Sequence, residues 1–200
     1  YFDSPTNSVI FVYHRPHELT SLQSLDLKSG ISKKLISIAT PSMLQVSSTA
    51  LDEVNGLLFY TTNNNQLFRD IWVYHLESGD EKLLFENARV GDLAVSPMTH
   101  DLWGIQLDAG FSSLVYSPYP YKEIIRLFSC DLSDEIFNLS VDDTGKKLAA
   151  TLKKSNGQQS IIVFDTETMI KDSSFGYQII SSSGSPENPS WSRDSKILYW

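Results

Sequence analysis

The sequence has little of what several classes of protein require. One of its 200 residues is cysteine, Cys130, so no disulfide can form within the chain and no cysteine-rich zinc site is indicated. No apolar run approaches the roughly 20 residues of a membrane-spanning helix, which predicts no membrane insertion within this segment. The 16 Lys and Arg are dispersed among 24 Asp and Glu, and the net charge is −8. Such a chain lacks the basic surface that binds a phosphate backbone, so nucleic acid is not an expected partner.

Helical periodicity is also missing. No stretch keeps apolar residues three and four positions apart, whereas glycine or polar turn signals recur about every ten residues. The apolar share of 41% and the aromatic share of 12% suffice for a sizeable core. The composition and its patterning therefore predict an all-β chain.

One short turn pattern recurs along the whole chain. A Ser or Asp is followed six positions later by an apolar residue that opens a strand, and successive copies lie 48, 44, 46 and 50 residues apart. The residue three positions on is mostly of a type that tolerates left-handed backbone, and the starting side chain is expected to accept a hydrogen bond from the amide two residues on. The starting residues are Ser4, Asp52, Ser96, Asp142 and Ser192.

A strand array with this period predicts the blades of a β-propeller. The other all-β architectures, a sandwich or a closed barrel, predict no such repeat. We expect four four-stranded antiparallel blades and a truncated fifth, which form the larger part of a six- to eight-bladed ring whose remainder lies outside this segment. The strand before the first turn is expected to be missing. The blades fall at approximately 1–41, 42–88, 89–132, 133–184 and 185–200, within a single propeller segment.

Several details within the blades are predicted as well. Residues 28–30 and 77–80 read as the outer hairpins of the first two blades. The strand before Pro118 must end by Ser117, because proline cannot donate to a sheet. The long link at 165–172 is expected to hold a helical turn.

Residues 14–18, His-Arg-Pro-His-Glu, are the nearest approach to a metal motif. Their order fits neither His-Glu-x-x-His nor its inverse, Pro16 disfavours the required helix, and a third ligand is not apparent. The acidic pairs at 52–53 and 142–143 are explained by their place in the turns. No Gly-x-Ser-x-Gly elbow occurs, and Cys130 has no base nearby in the sequence, so an inert thiol is expected. We therefore predict no catalytic residue, no metal and no cofactor.

The loops between the second and third strands of the blades are the predicted binding site, because they are expected to cluster on one rim of the ring. A tyrosine-rich stretch at 116–121 breaks the repeat pattern and is a further candidate, although packing between blades is the alternative for its rings. The predicted ligand-binding residues are His14, Arg15, His17, Glu18, Asn63, Asn64, Asn65, Asp108, Phe111, Tyr116, Tyr119, Tyr121 and Asn156.

The turns resemble a known family, the TolB-type, or WD40-like, propeller repeats. Their signature is a Trp-Ser-Pro-Asp-Gly-like turn followed by Lys-x-apolar-apolar-aromatic. Residues 189–199, PSWSRDSKILY, match it with Arg193 in place of proline and Ser195 in place of glycine. Residues 140–150 match with Asp143 in place of proline, and residues 94–97 keep the Ser-Pro.

The resemblance implies two functions. The first is a non-catalytic scaffold, commonly six-bladed, that binds a protein or peptide through its rim loops in a bacterial cell envelope or periplasm. The second is the substrate-gating propeller of a larger peptidase or hydrolase, with its catalytic domain outside this segment. The given residues contain no signal peptide, and the location is an expectation from the resemblance alone.

Overall fold

A computed structural model of the chain describes residues 2–39, 48–172 and 176–200. The chain divides into two compact units, residues 1–88 and 89–200. We call them unit 1 and unit 2 and describe each by itself.

The described residues form short strands and one helix. In unit 1 they are β1 (Phe2–Asp3), β2 (Ser8–Tyr13), β3 (Thr20–Asp26), β4 (Ser32–Ile38), β5 (Thr49–Asp52), β6 (Leu57–Asn63), β7 (Arg69–His75) and β8 (Glu81–Phe85). In unit 2 they are β9 (Val90–Val95), β10 (Leu102–Asp108), β11 (Phe111–Ser117), β12 (Ile125–Ser129), β13 (Glu135–Val141), β14 (Lys147–Lys153), β15 (Gln159–Asp165), α1 (Thr166–Lys171), β16 (Gln178–Ser181), β17 (Ser190–Trp191) and β18 (Leu198–Tyr199).

These strands pair in sequence order into antiparallel sheets. Unit 1 holds the four-stranded sheets β1-β2-β3-β4 and β5-β6-β7-β8. Unit 2 holds β9-β10-β11-β12, β13-β14-β15-β16 and the two-stranded β17-β18. Each four-stranded sheet is thus an up-and-down meander, the form of a propeller blade. The prediction of an all-β chain made of four-stranded antiparallel sheets is confirmed.

The five turn copies share one hydrogen bond. In each, the amide three residues after the starting Ser or Asp donates to that residue, to a backbone carbonyl in three copies and to a side-chain oxygen in two. The prediction was that the starting side chain accepts from the amide two residues on. It was wrong in the donor, which is the amide three residues on, and in three copies also in the acceptor, which is the backbone carbonyl. The donors and acceptors are Asn7 and Ser4, Asn55 and Asp52, Thr99 and Ser96, Gly145 and Asp142, and Ser195 and Ser192.

The left-handed residue of these turns takes one of two places. It is the third residue in the first, fourth and fifth copies, where Asn7, Gly145 and Ser195 have φ of 51°, 71° and 57°. It is the fourth in the other two, where Gly56 and His100 have φ of 60° and 62°. The residue type three positions after the start of each turn therefore predicts the position of the left-handed residue to within one residue.

Two other local predictions are confirmed and one is wrong. The helical turn is confirmed as α1, which Asp165 caps by accepting from Thr168 N at 2.8 Å, and β11 ends at Ser117. The first blade does have a strand before its turn, since β1 pairs with β2, so the expected gap was wrong. The second sheet begins with β5 at Thr49, and the predicted blade limit at 41 and 42 lies outside the described residues.

Each unit has its own apolar core between its sheets. In unit 1 the core joins Ile10, Leu22 and Ile38 of the first sheet to Leu58 and Tyr60 of the second. In unit 2 the core runs from Trp103 and Leu114 through Leu148 to Ile162 and Phe164. Strands such as β6 and β14 are buried at nearly every position, because side chains on both of their faces are covered.

Polar contacts also join successive sheets in unit 2. A Cβ built on Gly145 would lie closer than 3.0 Å to Ser96 Oγ, which places the turn before β14 directly against the turn before β10. Trp191 Nε1 donates to the Ser140 carbonyl at 3.1 Å and ties β17 to β13. The repeated turn is therefore part of the contact between neighbouring sheets.

Candidate functional site

In unit 1 the loops between the second and third strands lie at the same end of the two sheets. Ile38, the last residue of β4, pairs with Thr20, which directly follows the β2–β3 loop. Ile38 also lines a cavity together with Asn64 and Asn65 of the β6–β7 loop. The cavity therefore lies at the end of unit 1 that carries the β6–β7 loop and the strand end beside the β2–β3 loop, and its described lining includes no residue of the β2–β3 loop itself. We call this end of unit 1 the unit 1 rim.

The cavity at the unit 1 rim has a volume of about 290 Å³. That is the lower end of the range for ligand pockets, about 300–1,000 Å³, and suits one side chain better than a large cofactor. Two carboxylates line the cavity, Asp70 and Glu81, and none of the described lining residues is basic. The remaining lining residues are Ser37, Ile38, Ala39, Tyr60, Thr62, Asn63, Asn64, Asn65 and Trp72.

A hydrogen-bond network around Asp70 shapes the mouth of the cavity. Asp70 Oδ1 accepts from Asn64 Nδ2 at 2.9 Å and from the Asn87 amide at 2.7 Å. Asn64 Oδ1 in turn accepts from the amides of Gln66 and Phe68, at 2.9 and 3.2 Å, and so holds its own loop in place. Asn64 is therefore both a predicted site residue and the organiser of the loop.

Another part of the lining combines aromatic rings with the carboxylate of Glu81, a residue exposed to solvent. Tyr60 donates its hydroxyl hydrogen bond to Glu81, and burial raises the pKa of that carboxyl above its ordinary value. Trp72 lies beside them, and its Nε1 is buried without a hydrogen-bond partner among the described residues.

The other predicted residues of this rim lie in the β2–β3 loop. His14 Nδ1 is 3.1 Å from Thr20 Oγ1, and the exposed Arg15 and Glu18 form an ion pair of 3.4 Å. His17 has a left-handed backbone with φ of 67°. In the described parts of the chain, no three His, Cys, Asp or Glu side chains are placed to share a metal ion.

In unit 2 the equivalent loops also share one end. Asp134, in the link between the two sheets, accepts from Lys154 Nζ at 2.7 Å and from the Ser155 amide at 2.8 Å, both in the β14–β15 loop. The same link reaches the β10–β11 hairpin, where the Ser133 amide donates to the Gly110 carbonyl at 3.5 Å. We call this face the unit 2 rim.

The predicted residues of the unit 2 rim are Asp108, Phe111 and Asn156. Asp108 forms ion pairs with Arg89 and Arg126, the latter at 3.6 Å. Phe111 is 41% exposed, a large apolar side chain open to solvent. Asn156 Oδ1 accepts from the Gln158 amide at 2.9 Å and stabilises its loop.

The three predicted tyrosines lie elsewhere in unit 2. Tyr116 is buried and packs against Trp103 of the same sheet with ring centroids 5.1 Å apart. It also belongs to the core between the sheets of unit 2, as the packing alternative expects. Tyr119 and Tyr121 are in the β11–β12 loop, at the end of the sheet opposite to the β10–β11 hairpin. There Tyr121 donates its hydroxyl to the His100 carbonyl at 2.8 Å. The structure thus divides the predicted residues between two ends of this sheet.

Cys130 lies in the link of unit 2 and is buried. Burial, together with the nearby Asp134, raises the pKa of its thiol to about 11. A thiol with that pKa is almost entirely protonated at neutral pH and is a poor nucleophile. The expectation of an inert thiol agrees with this environment.

The cavity includes residues that sequence reasoning missed, namely Asp70, Trp72 and Glu81. They come from β7 and β8, whereas the predicted residues of this rim come from loops. In the sequence Asp70 follows Arg69 and directly precedes the apolar run 71–74 of β7, a position that does not by itself mark a cavity residue. Within the described part of the chain, no helix has the length and apolar character that a membrane crossing requires.

Comparisons with known proteins identify the fold. Neither a protein-family model nor a curated protein matches the sequence. Among solved structures, TolB from Acinetobacter baumannii is similar over 96% of this chain and 45% of its own, with a TM-score of 0.76 and 14% identity. The chain therefore has the fold of a TolB-like β-propeller, and the predicted resemblance is confirmed at the level of the fold.

Two further solved structures share this fold. A chain in a nidogen–laminin complex is similar over 90% of this chain and 63% of its own, with a TM-score of 0.68 and 14% identity. An oligogalacturonate lyase from Vibrio parahaemolyticus is similar over 94% of this chain and 54% of its own, with a TM-score of 0.67 and 9% identity. The chain spans about half the length of the structures it matches.

Proposed function

We propose that this chain is a non-catalytic β-propeller scaffold that binds a protein or peptide through its rim loops, in a bacterial cell envelope. The observation that carries the proposal is the cavity of about 290 Å³ at the unit 1 rim, where the loop of Asn64 and Asn65 opens beside two carboxylates and an indole. A cavity of this size takes one anchoring side chain of a partner, the usual centre of a binding surface.

Two further observations support the proposal. The fold is that of TolB-like propellers, and another structure with this fold is a chain of a nidogen–laminin complex. The exposed Phe111 on the unit 2 rim adds an apolar contact of the kind that interfaces use. The envelope location rests on the likeness to TolB and is tested by fractionating cells that make the full-length protein.

The binding test compares two variants of the chain in peptide display. The rim variant carries Arg15→Ser, Glu18→Ser, Asn65→Ser and Phe111→Ser, which change four exposed side chains on the two rims. The control variant changes four side chains at the opposite ends of the sheets, Lys28→Ser, Glu77→Ser, Met98→Ser and Tyr119→Ser. Equal melting temperatures show that both remain folded.

We expect peptides selected on the unchanged chain to bind the control variant normally and the rim variant at least about tenfold more weakly, because binding energy concentrates in a few contacts. Selected peptides that bind both variants equally well would contradict the proposal.

A second candidate is the substrate-gating propeller of a larger peptidase or hydrolase. The likeness to an oligogalacturonate lyase favours it, because that enzyme has the same fold. A catalytic domain in the full-length protein, with its own nucleophile or metal motif, would support this candidate over the first.

A further inference from the structure

The unit 1 cavity contains a buried carboxylate that its own unit leaves half satisfied. Asp70 is 6% exposed, and the hydrogen bonds that it accepts from Asn64 and Asn87 both end on Oδ1. Among the described residues, nothing donates to Oδ2 and no basic side chain pairs with Asp70. Oδ2 keeps its capacity to accept hydrogen bonds, and Asp70 lines the cavity, so this oxygen is suited to receive a donor from a bound ligand.

Other buried carboxylates of the chain show why Asp70 is unusual. Asp142 is 1% exposed and has no cation, but both of its oxygens accept, Oδ1 from the Lys147 amide at 2.9 Å and Oδ2 from the Thr144 hydroxyl. Asp134, 4% exposed, has Lys154 as its own cation at 2.7 Å. Asp70 has neither arrangement. Asp3, 5% exposed, also accepts on one oxygen, from the Thr6 hydroxyl, so what distinguishes Asp70 is that it lines the cavity at the unit 1 rim together with a second carboxylate.

The remaining lining of the cavity specifies the missing partner. Glu81 adds a second carboxylate, and Tyr60 orients it through the hydroxyl hydrogen bond. Trp72 adds an aromatic surface on which a planar cation can stack. A guanidinium fits all three, because it is planar, permanently charged and carries five donors for two carboxylates.

We propose that the unit 1 cavity binds the guanidinium of an arginine side chain in a peptide partner, with Asp70 and Glu81 accepting its hydrogen bonds. This inference rests on the proposed function, since the peptide that the rim binds supplies the arginine.

The probe is a pentapeptide with arginine between two glycine pairs and blocked ends. Its control has citrulline at the same place, which keeps the shape and most donors but removes the charge. Binding to the chain is measured by titration calorimetry. We expect the arginine peptide to bind at least about tenfold more tightly than the citrulline peptide, as for a charge-assisted hydrogen bond.

Three variants assign the preference to the cavity. Asp70→Asn and Glu81→Gln keep the shape and the acceptor oxygens that Asn87 and Tyr60 use, and each is expected to lose most of the discrimination between the two peptides. Asp134→Asn is the matched control, since it removes a carboxylate of similar burial from the other unit, and it is expected to leave binding unchanged. Glu81 is exposed, so Glu81→Gln keeps the test valid should Asp70→Asn not fold.

The possible failures are distinguishable. No binding of the arginine peptide, equal binding of the two peptides, or discrimination unchanged in both cavity variants would overturn the inference. If displayed peptides require the rim but do not depend on Asp70 or Glu81, the inference fails and the proposed function stands. If the arginine peptide depends on Asp70 while displayed peptides ignore the rim, the cavity's preference stands and the proposed function fails.

Discussion

Replacing Gly145 with alanine is expected to destabilise the chain by about 2–4 kcal/mol. Gly145 has φ of 71°, where alanine costs about 1–2 kcal/mol because its Cβ crowds the following carbonyl. The new Cβ would also lie closer than 3.0 Å to Ser96 Oγ. Ser96 is fully buried and accepts from the Thr99 amide at 3.3 Å, so its displacement costs a further ~1–2 kcal/mol in packing and hydrogen bonding.

Two comparison variants separate these causes. Gly157 has φ of 87° with no atom within 4 Å of a built Cβ, so Gly157→Ala should cost only the backbone term, about 1–2 kcal/mol. Ser96→Ala removes the crowded oxygen and leaves its Cβ at an ordinary 3.6 Å from the new methyl group. In the double variant with Gly145→Ala, the two changes should therefore cost less together than the sum of their separate effects.

The assay is urea denaturation followed by circular dichroism, with the free energy of unfolding taken from the midpoint and slope. The expected coupling between positions 96 and 145 is about 1 kcal/mol or more. Equal losses for Gly145→Ala and Gly157→Ala, or strict additivity in the double variant, would refute the claim that this turn packs directly on the preceding one.

Two further predictions concern ionisable groups of unit 2. Cys130, with a pKa near 11, should react with iodoacetamide at pH 8 only when urea unfolds the chain, and rapid labelling of the native chain would contradict its burial. The Lys154 hydrogen bond, followed by that of the Ser155 amide, holds the pKa of Asp134 below its usual 3.8, so the pair stabilises the fold above that pH and loses its effect as the pH falls through the lowered pKa. Lys154→Met should therefore melt below the unchanged chain at pH 7, with a difference that shrinks below about pH 4; a difference independent of pH would contradict the pairing.

The repeated blade was predictable because its signals are local. A Ser or Asp, a residue that tolerates left-handed backbone and an apolar strand occur within a few positions of one another, and each acts through its own backbone. The same locality explains the success with α1 and with the end of β11 before Pro118. The prediction placed the donor amide one residue too early. The type of the starting residue does not determine which of the following amides points back towards it.

The tyrosine-rich stretch shows where such reasoning stops. Its departure from the repeat pattern was visible in the sequence, but Tyr116 became part of the core, whereas Tyr119 and Tyr121 met His100 at the other end of the sheet from the β10–β11 hairpin. Alternation along a strand assigns a side chain to one face of the sheet, but the neighbouring sheet decides whether that face is covered.

By itself, the sequence determined an all-β chain of repeated four-stranded sheets, because strand patterning and turn chemistry are properties of neighbouring residues. Only the tertiary structure decided where the unit 1 cavity lies, because the cavity joins side chains of β4, β6, β7 and β8 that are far apart in the chain. Asp142 and Asp70 illustrate the difference. Both are buried aspartates, but the turn around Asp142 satisfies both of its oxygens, whereas the packing of two sheets leaves one oxygen of Asp70 available at the rim.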